Sequence, residues 1–103
     1  MKLEDIKVTY EVRREERVSI ITPVLEVDSD SVRTLIAFLK VDGHELISSQ
    51  RIRFENGPNR LTLKPVKIVK TPGFEESYEY RMELHISPDG KEYHIDQFML
   101  RLL

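Results

Sequence analysis

The sequence predicts an all-β protein, a seven-stranded antiparallel sandwich that forms one domain over residues 1–103. Apolar and polar residues alternate along most of the chain, as they do in strands with one buried face. Turn-forming sequences separate these segments at the spacing typical of sandwiches and barrels. No segment keeps the period of an amphipathic helix for long, so a helical domain is disfavoured.

The first strand is predicted over residues 6–12, where apolar side chains occupy every second position. The charged sequence R-R-E-E-R (13–17) then forms a turn, and a second strand covers residues 18–27. Pro23 lies inside that second strand. Because proline cannot donate a hydrogen bond to a neighbouring strand, Pro23 predicts an edge position or a bulge.

A third strand over residues 32–41 carries apolar residues on both faces, which is typical of a central strand. The sequence V-D-G-H (41–44) predicts a two-residue hairpin, because Asp-Gly accepts the positive φ angles of a type I′ turn. The register that follows places three pairs opposite each other: Leu39 with Leu46, Phe38 with Ile47, and Lys40 with Glu45.

Loops are predicted over residues 55–60 and 71–76. Between them, Leu61 and Leu63 begin a fifth strand, whose apolar phase changes at Pro65 as a bulge would change it. The sixth strand alternates cleanly over residues 78–86, and the last strand covers residues 92–102.

The last two strands form a hairpin with one histidine on each arm. An even-length loop keeps apolar residues opposite one another, in two pairs: Ile86 with Tyr93 and Leu84 with Ile95. On the other face the same register brings four polar side chains together, also in pairs: His85 with His94, and Glu83 with Asp96. Residues opposed in this way have β-carbons about 5 Å apart.

Two imidazoles and two carboxylates at that spacing have the chemistry to bind a divalent metal such as zinc, nickel or copper. The alternative is a solvated sheet face, and the sequence favours it because no metal-binding motif spacing is present. The chain has no cysteine, which removes thiolate ligands, disulfides and cysteine nucleophiles. We expect no cofactor and no enzymatic activity, since glycine-rich phosphate loops and G-x-S-x-G motifs are also absent.

The C-terminal run F-M-L-R-L-L (98–103) has apolar residues in both phases, which is unusual for an edge strand. A bulge near Asp96 and Gln97 would re-aim the strand, but both faces would stay apolar. Either the sandwich's own loops cover this run or a partner does. For the second case, the sequence predicts an interface with a protein partner or a second copy, formed by Phe98, Leu100, Leu102 and Leu103.

Charge is unevenly spread along the chain. Residues 51–70 carry six basic side chains against one acidic, a net charge of +5, whereas residues 71–103 carry three against seven, a net charge of −4. The basic patch consists of Arg51, Arg53, Arg60, Lys64, Lys67 and Lys70. Nucleic-acid binding is disfavoured, because no aromatic residue interleaves these positions and the whole chain has a net charge of −2.

The strand pattern, the central D-G hairpin and the P-G…Y-x-Y run before the sixth strand resemble those of immunoglobulin-like and fibronectin type III sandwiches. The V-D-G hairpin, followed by a turn and an L-T-L strand, also resembles bacterial adhesion-type and water-stress modules. The resemblance implies an immunoglobulin-like sandwich, with Tyr78 or Tyr80 at the tyrosine corner of that family. It implies a shape and no particular activity.

The first residues lack the apolar core of a signal peptide, and no run is long enough to span a membrane. We therefore expect a cytoplasmic protein, or a domain excised from a larger secreted protein. Few glycines and 33% charged residues are typical of a thermophile. Together these features favour a non-enzymatic interaction or structural module that self-associates through its C-terminal strand. Metal binding and weak nucleic-acid binding are the alternatives.

Overall fold

The computed structural model describes residues 5–43, 45–69 and 78–102, and these form two antiparallel sheets packed as a sandwich. The predicted all-β sandwich is therefore confirmed. The described part of the chain contains eight strands, one more than predicted. Their bounds are β1 (Lys7–Glu15), β2 (Val18–Ser29), β3 (Arg33–Val41), β4 (Glu45–Phe54), β5 (Gly57–Thr62), β6 (Val66–Val69), β7 (Tyr78–Ser87) and β8 (Tyr93–Leu102).

The first sheet has β2 at its centre, with β1 along one side and both β5 and β6 along the other. The second sheet has the order β4-β3-β7-β8, so the third strand is central, as predicted. Alternate residues of these strands point between the sheets and form the core. Its most buried members include Leu25, Phe54, Met82, Leu84 and Ile86, each with no measurable exposure.

The predicted fifth strand is in fact two strands. The loop predicted over residues 55–60 ends early, because β5 already begins at Gly57 and pairs with the end of β2. Asn59 holds this turn: its Oδ1 accepts from Glu55 N at 2.8 Å, and its Nδ2 donates to Glu55 O at 2.9 Å. The ladder is interrupted over residues 63–65, and the pairing with β2 resumes after one extra residue on this side, as the bulge predicted at Pro65 requires.

Pro23 lies in the central strand of its sheet, so the predicted edge position is wrong. It falls in a gap between the residues that pair with β6, which end at Ile21, and those that pair with β5, which begin at Val24. Pro23 O accepts a hydrogen bond from Leu63 N at 2.9 Å on this side. The missing N–H of Pro23 faces the same gap, where the regular ladder does not require it.

The β3–β4 hairpin has a three-residue connection instead of the predicted two, with Val41 opposite Glu45. Asp42 and Gly43 have φ angles of 52° and 82°, the left-handed conformation that Asp-Gly was expected to adopt. A register shift beyond Lys40 makes Ile47 an extra residue. The predicted pairs are therefore wrong: Leu39 lies opposite Ser48, Phe38 opposite Ser49, and Lys40 opposite Leu46.

Candidate functional site

The two histidines of the last hairpin lie opposite each other, as the sequence predicts, with His85 on β7 and His94 on β8. Their rings stack with centroids 4.9 Å apart and planes inclined by 18°. The register shifts immediately beyond this pair, because Ile95 is an extra residue in β8. The predicted pairing of Leu84 with Ile95 is therefore wrong, and Leu84 lies opposite Asp96.

This bulge also undoes the predicted pairing of Glu83 with Asp96. One extra residue reverses the face that each following side chain occupies. Gln97 consequently lies opposite Glu83, whereas Asp96 takes the other face and lies near the hydroxyl of Tyr10. The bulge predicted near Asp96 and Gln97 thus exists, one residue earlier at Ile95.

The Glu83 side chain is only 7% exposed, although it points to the outer face of its sheet. Its Oε2 accepts a hydrogen bond from Arg81 Nε at 2.8 Å, and its Oε1 accepts one from His85 Nε2 at 3.1 Å. The Arg81 guanidinium holds the pKa of Glu83 below its usual value; burial opposes this effect, and His85 adds to it. Glu83 is therefore a shielded carboxylate with hydrogen-bond partners on both oxygens.

The β3–β4 turn forms the cover over this carboxylate. A β-carbon added to Gly43 would lie 3.1 Å from Glu83 Oε2 and 3.3 Å from Arg81 Nη2. The turn is held there by two hydrogen bonds: Asp42 N donates to Arg81 O at 2.8 Å, and Arg81 N donates to Asp42 Oδ1 at 3.0 Å. These contacts hold the β3–β4 turn against β7, so Glu83 and Arg81 have a structural role.

The predicted metal site is not assembled in the described residues, among which no group of three or more His, Asp or Glu side chains is placed to hold a metal ion. His94 Nε2 lies 3.1 Å from Asp96 O. Because a carbonyl oxygen only accepts, Nε2 is the donor in this contact, which leaves Nδ1 as the ring nitrogen with a lone pair. The Asp96 carboxylate is on the other face. Of the four predicted ligands, His85, His94 and Glu83 stay together on one face, with Glu83 Oε1 3.1 Å from His85 Nε2 and 3.8 Å from His94 Nε2, and Asp96 is the one that leaves it.

The basic patch is divided between two surfaces. Arg51 and Arg53 lie on the outer face of β4, and Arg53 forms an ion pair with Glu55 at 2.9 Å. The other described members belong to the other sheet and the connection within it: Arg60 in β5, Lys67 in β6 and Lys64 between them. Arg60 forms an ion pair with Glu26, and Lys70 lies outside the described residues. The charges therefore do not form one continuous stripe.

The C-terminal run is placed partly in the core. Leu100 is 1% exposed and belongs to the core cluster, while Phe98 is half-buried against it. Met99 points outward and is 57% exposed. The side chain of Leu102 and the whole of Leu103 lie outside the described residues. Of the predicted interface residues, Phe98 is therefore the one seen near the surface.

The strands β1 and β8 end the two sheets on one side of the sandwich, which we call the β1–β8 side. The Tyr10 and Phe98 rings meet there with centroids 4.1 Å apart and planes inclined by 34°. Arg14 of β1 donates from Nη1 to the carbonyl of Arg101 in β8 at 2.5 Å. This side was missed by the sequence reasoning, because a contact between residues 87 positions apart leaves no periodic signal.

The Tyr10 hydroxyl is buried on this side and makes no hydrogen bond of acceptable geometry with the described residues. Burial raises the pKa of Tyr10 far above its usual value, and the neighbouring Asp96 carboxylate raises it further. Tyr93 is 36% exposed and donates from its hydroxyl to Asp89 Oδ2 at 3.0 Å.

Comparison with known proteins identifies the fold and no family. No protein-family model matches the chain, and no curated protein matches it significantly. The solved structures that share the fold include three glycosidase chains. A chain assigned as a β-galactosidase from Bacteroides fragilis has a TM-score of 0.54 and 17% identity, covering 96% of this chain and 16% of its own.

A β-glucuronidase of glycoside hydrolase family 2 has a TM-score of 0.56 and 15% identity over 92% of this chain and 11% of its own length. A calcium-binding mutant of β-glucuronidase 2 from Bacteroides uniformis has a TM-score of 0.50 and 13% identity over 94% of this chain and 13% of its own. The chain therefore spans only 11–16% of the length of these glycosidase chains. Within the described residues, no helix has the length and apolar character needed to cross a membrane.

Proposed function

We propose that this chain is a non-catalytic β-sandwich module that associates with a second copy or another protein through its β1–β8 side. The observation that carries the proposal is the architecture of that side. Both sheets end there in long edge strands, and the Tyr10–Phe98 pair between them is only half-buried. Edge strands offer N–H and C=O groups to another chain, and aromatic residues are frequent interface anchors.

The comparisons support an accessory role, because the similar regions are small parts of long glycosidase chains. The strand order β4-β3-β7-β8 facing a sheet centred on β2 supports the immunoglobulin-like assignment. A module of this kind contributes shape and contact surface, and its activity does not follow from its fold.

An enzymatic alternative would start from the acid-rich depression lined by Asp5, Glu26 and Asp28. Glycoside hydrolysis needs a pair of carboxylates that flank the scissile bond. The depression is open, and Glu26 forms an ion pair with Arg60. We expect no hydrolysis of chromogenic β-galactosides or β-glucuronides. Hydrolysis that disappears in an Asp28→Asn variant would replace the proposal with an enzymatic one.

Association is tested by light scattering over a concentration series at low and high salt. The natural absence of cysteine allows one bulky group to be attached at a chosen position. Met99→Cys and Leu46→Cys form a matched pair, because the two side chains are 57% and 54% exposed on the two edge strands of one sheet. Polyethylene glycol attached at position 99 should block association, whereas the same group at position 46, far from the β1–β8 side, should not. Equal effects at both positions would refute the proposed side.

A further inference from the structure

The four sheet edges are not equally protected against pairing with another chain. In β4 and β8 the extra residues Ile47 and Ile95 interrupt the ladder. The edge formed by β5 and β6 contains Pro58 and breaks at Pro65. Bulges, prolines and breaks are among the devices by which proteins prevent edge-to-edge association. Three of the four edges in the described part of the chain therefore carry such a device.

The remaining edge strand, β1, is regular. Its nine residues pair with β2 without a register shift, and it contains neither proline nor glycine. Its other side has no strand neighbour within the described residues. The edge of β8 is further protected against pairing by Arg14, whose Nη1 donates a hydrogen bond to the carbonyl of Arg101. On the β1–β8 side, β1 is thus the edge left regular and uncapped.

We infer that β1 pairs antiparallel with β1 of a second copy, in the register centred on Val12. This deepens the proposed function and rests on it, since it names the partner and the contact on the same side. In that register Glu11 of each copy lies opposite Arg13 of the other, so the pairing forms two cross-strand ion pairs on the outer face. The apolar Val12, which is 39% exposed in the monomer, lies opposite its own equivalent. Opposed charges and opposed apolar residues both stabilise antiparallel pairs.

Contacts between like charges disfavour the neighbouring registers of the β1–β1 pair. A slip of one residue would put the outer face of one copy against the inner face of the other, so only slips of two residues compete. Centring the pair on Glu11 forms two Lys7–Glu15 ion pairs at the strand ends but places the Glu11 carboxylate opposite itself at the centre. Centring it on Arg13 places the guanidinium opposite itself and Glu11 opposite Glu15. Like charges directly opposite each other destabilise a sheet, which leaves the register centred on Val12.

The charges needed for this pairing are available in the monomer. The Arg13 and Glu15 side chains are 73% and 53% exposed, and Arg13 Nη2 lies 3.1 Å from Glu15 Oε1. An exposed ion pair of this kind contributes little to stability, so Arg13 can readily exchange Glu15 for Glu11 of the second copy. In the dimer Glu15 would lie opposite Thr9, so no like charges meet along the paired strands.

The test uses charge reversals that separate pairing between copies from effects within one copy. Glu11→Arg alone places two arginines opposite each other, and Arg13→Glu alone places two glutamates opposite each other. Each should weaken self-association about tenfold or more. An equimolar mixture of the two variants should form a heterodimer, because each reversed charge then meets its opposite on the other copy. Arg51→Glu, an exposed reversal on the distant strand β4, is the control and should associate like the wild type.

Sedimentation equilibrium of the wild type, both single variants and their mixture, with circular dichroism to verify folding, gives distinct outcomes. Loss in the single variants and recovery in the mixture support the inference. A wild-type dimer that both single variants also form overturns the β1 pairing and leaves the proposed association function standing. A wild type that stays monomeric up to millimolar concentration overturns the pairing and the self-association part of the proposed function together.

Discussion

The shielded carboxylate of Glu83 should make a measurable and pH-dependent contribution to stability. Glu83→Gln preserves the shape of the side chain and removes its charge, so the Arg81 bond at 2.8 Å loses its anionic acceptor. Hydrogen bonds to charged groups contribute roughly 1.5–3 kcal/mol. Arg81 is 44% exposed and regains water when the charge is lost, which reduces the expected cost to about 1–2 kcal/mol. Urea unfolding at pH 7 measures this difference.

The sign of the pH dependence follows from the lowered pKa of Glu83. A carboxylate with a lower pKa in the folded state stabilises the fold above its unfolded pKa and loses that contribution as pH falls through the folded value. The difference between wild type and Glu83→Gln should therefore be full at pH 7, shrink below about pH 4.5, and vanish once Glu83 is protonated in the folded protein.

The matched control is Glu79→Gln, on the same strand and face. Glu79 accepts two hydrogen bonds from Arg101, at 3.0 and 2.6 Å, but its side chain is 47% exposed. Its substitution should change stability by no more than about 0.5 kcal/mol. Equal losses in the two variants at pH 7, or a loss in Glu83→Gln that persists unchanged at pH 2, would refute the argument from shielding.

Three further predictions follow from burial and hydrogen bonding. Leu100→Ala should cost about 2–4 kcal/mol of unfolding free energy, and Met99→Ala about 0.5 kcal/mol or less; similar values in chemical denaturation would contradict the core position of Leu100. Tyr10→Phe removes a buried hydroxyl without a well-formed hydrogen bond, so stability should be unchanged or rise by up to about 1 kcal/mol; a clear loss would mean that this hydroxyl is satisfied in solution. Asn59→Ala should cost about 1–3 kcal/mol and speed amide exchange in β5, and unchanged exchange would exclude the proposed anchoring of that turn.

Alternation of side chains was sufficient to predict the sheets but not their irregularities. The two-residue period of residues 78–86 identifies the buried face of β7, because each apolar side chain there is followed by a polar one. Around Leu46 and Ile47 two apolar residues are adjacent, so the pattern does not indicate which of them is extra. The structure exposes 54% of Leu46 and packs Ile47 against the core.

The geometry of the candidate site could likewise be predicted only in part from the sequence. The facing of His85 and His94 depends on a register that apolar pairing determines, and it is confirmed. The next pair depends on where the bulge lies, and the sequence contains no signal that selects Ile95 over its neighbours. The enclosure of Glu83 by Gly43 involves residues 40 positions apart and depends on the path of the β3–β4 turn. Such contacts follow from the three-dimensional arrangement and leave no local pattern.

The bulge at Ile95 also changes what the apolar C-terminal run indicates. By reversing the phase of β8 it turns Phe98 and Leu100 toward the core side, where Leu100 is almost completely buried. The burial of Leu100 therefore needs no partner to account for it. The association that we propose uses β1 instead, whose polar sequence gave no such indication. The apolar residues of β8, the last strand, therefore indicate core packing within one sandwich. An edge strand that can pair with another chain is recognised instead by an uninterrupted ladder and by charges that match across a two-fold axis.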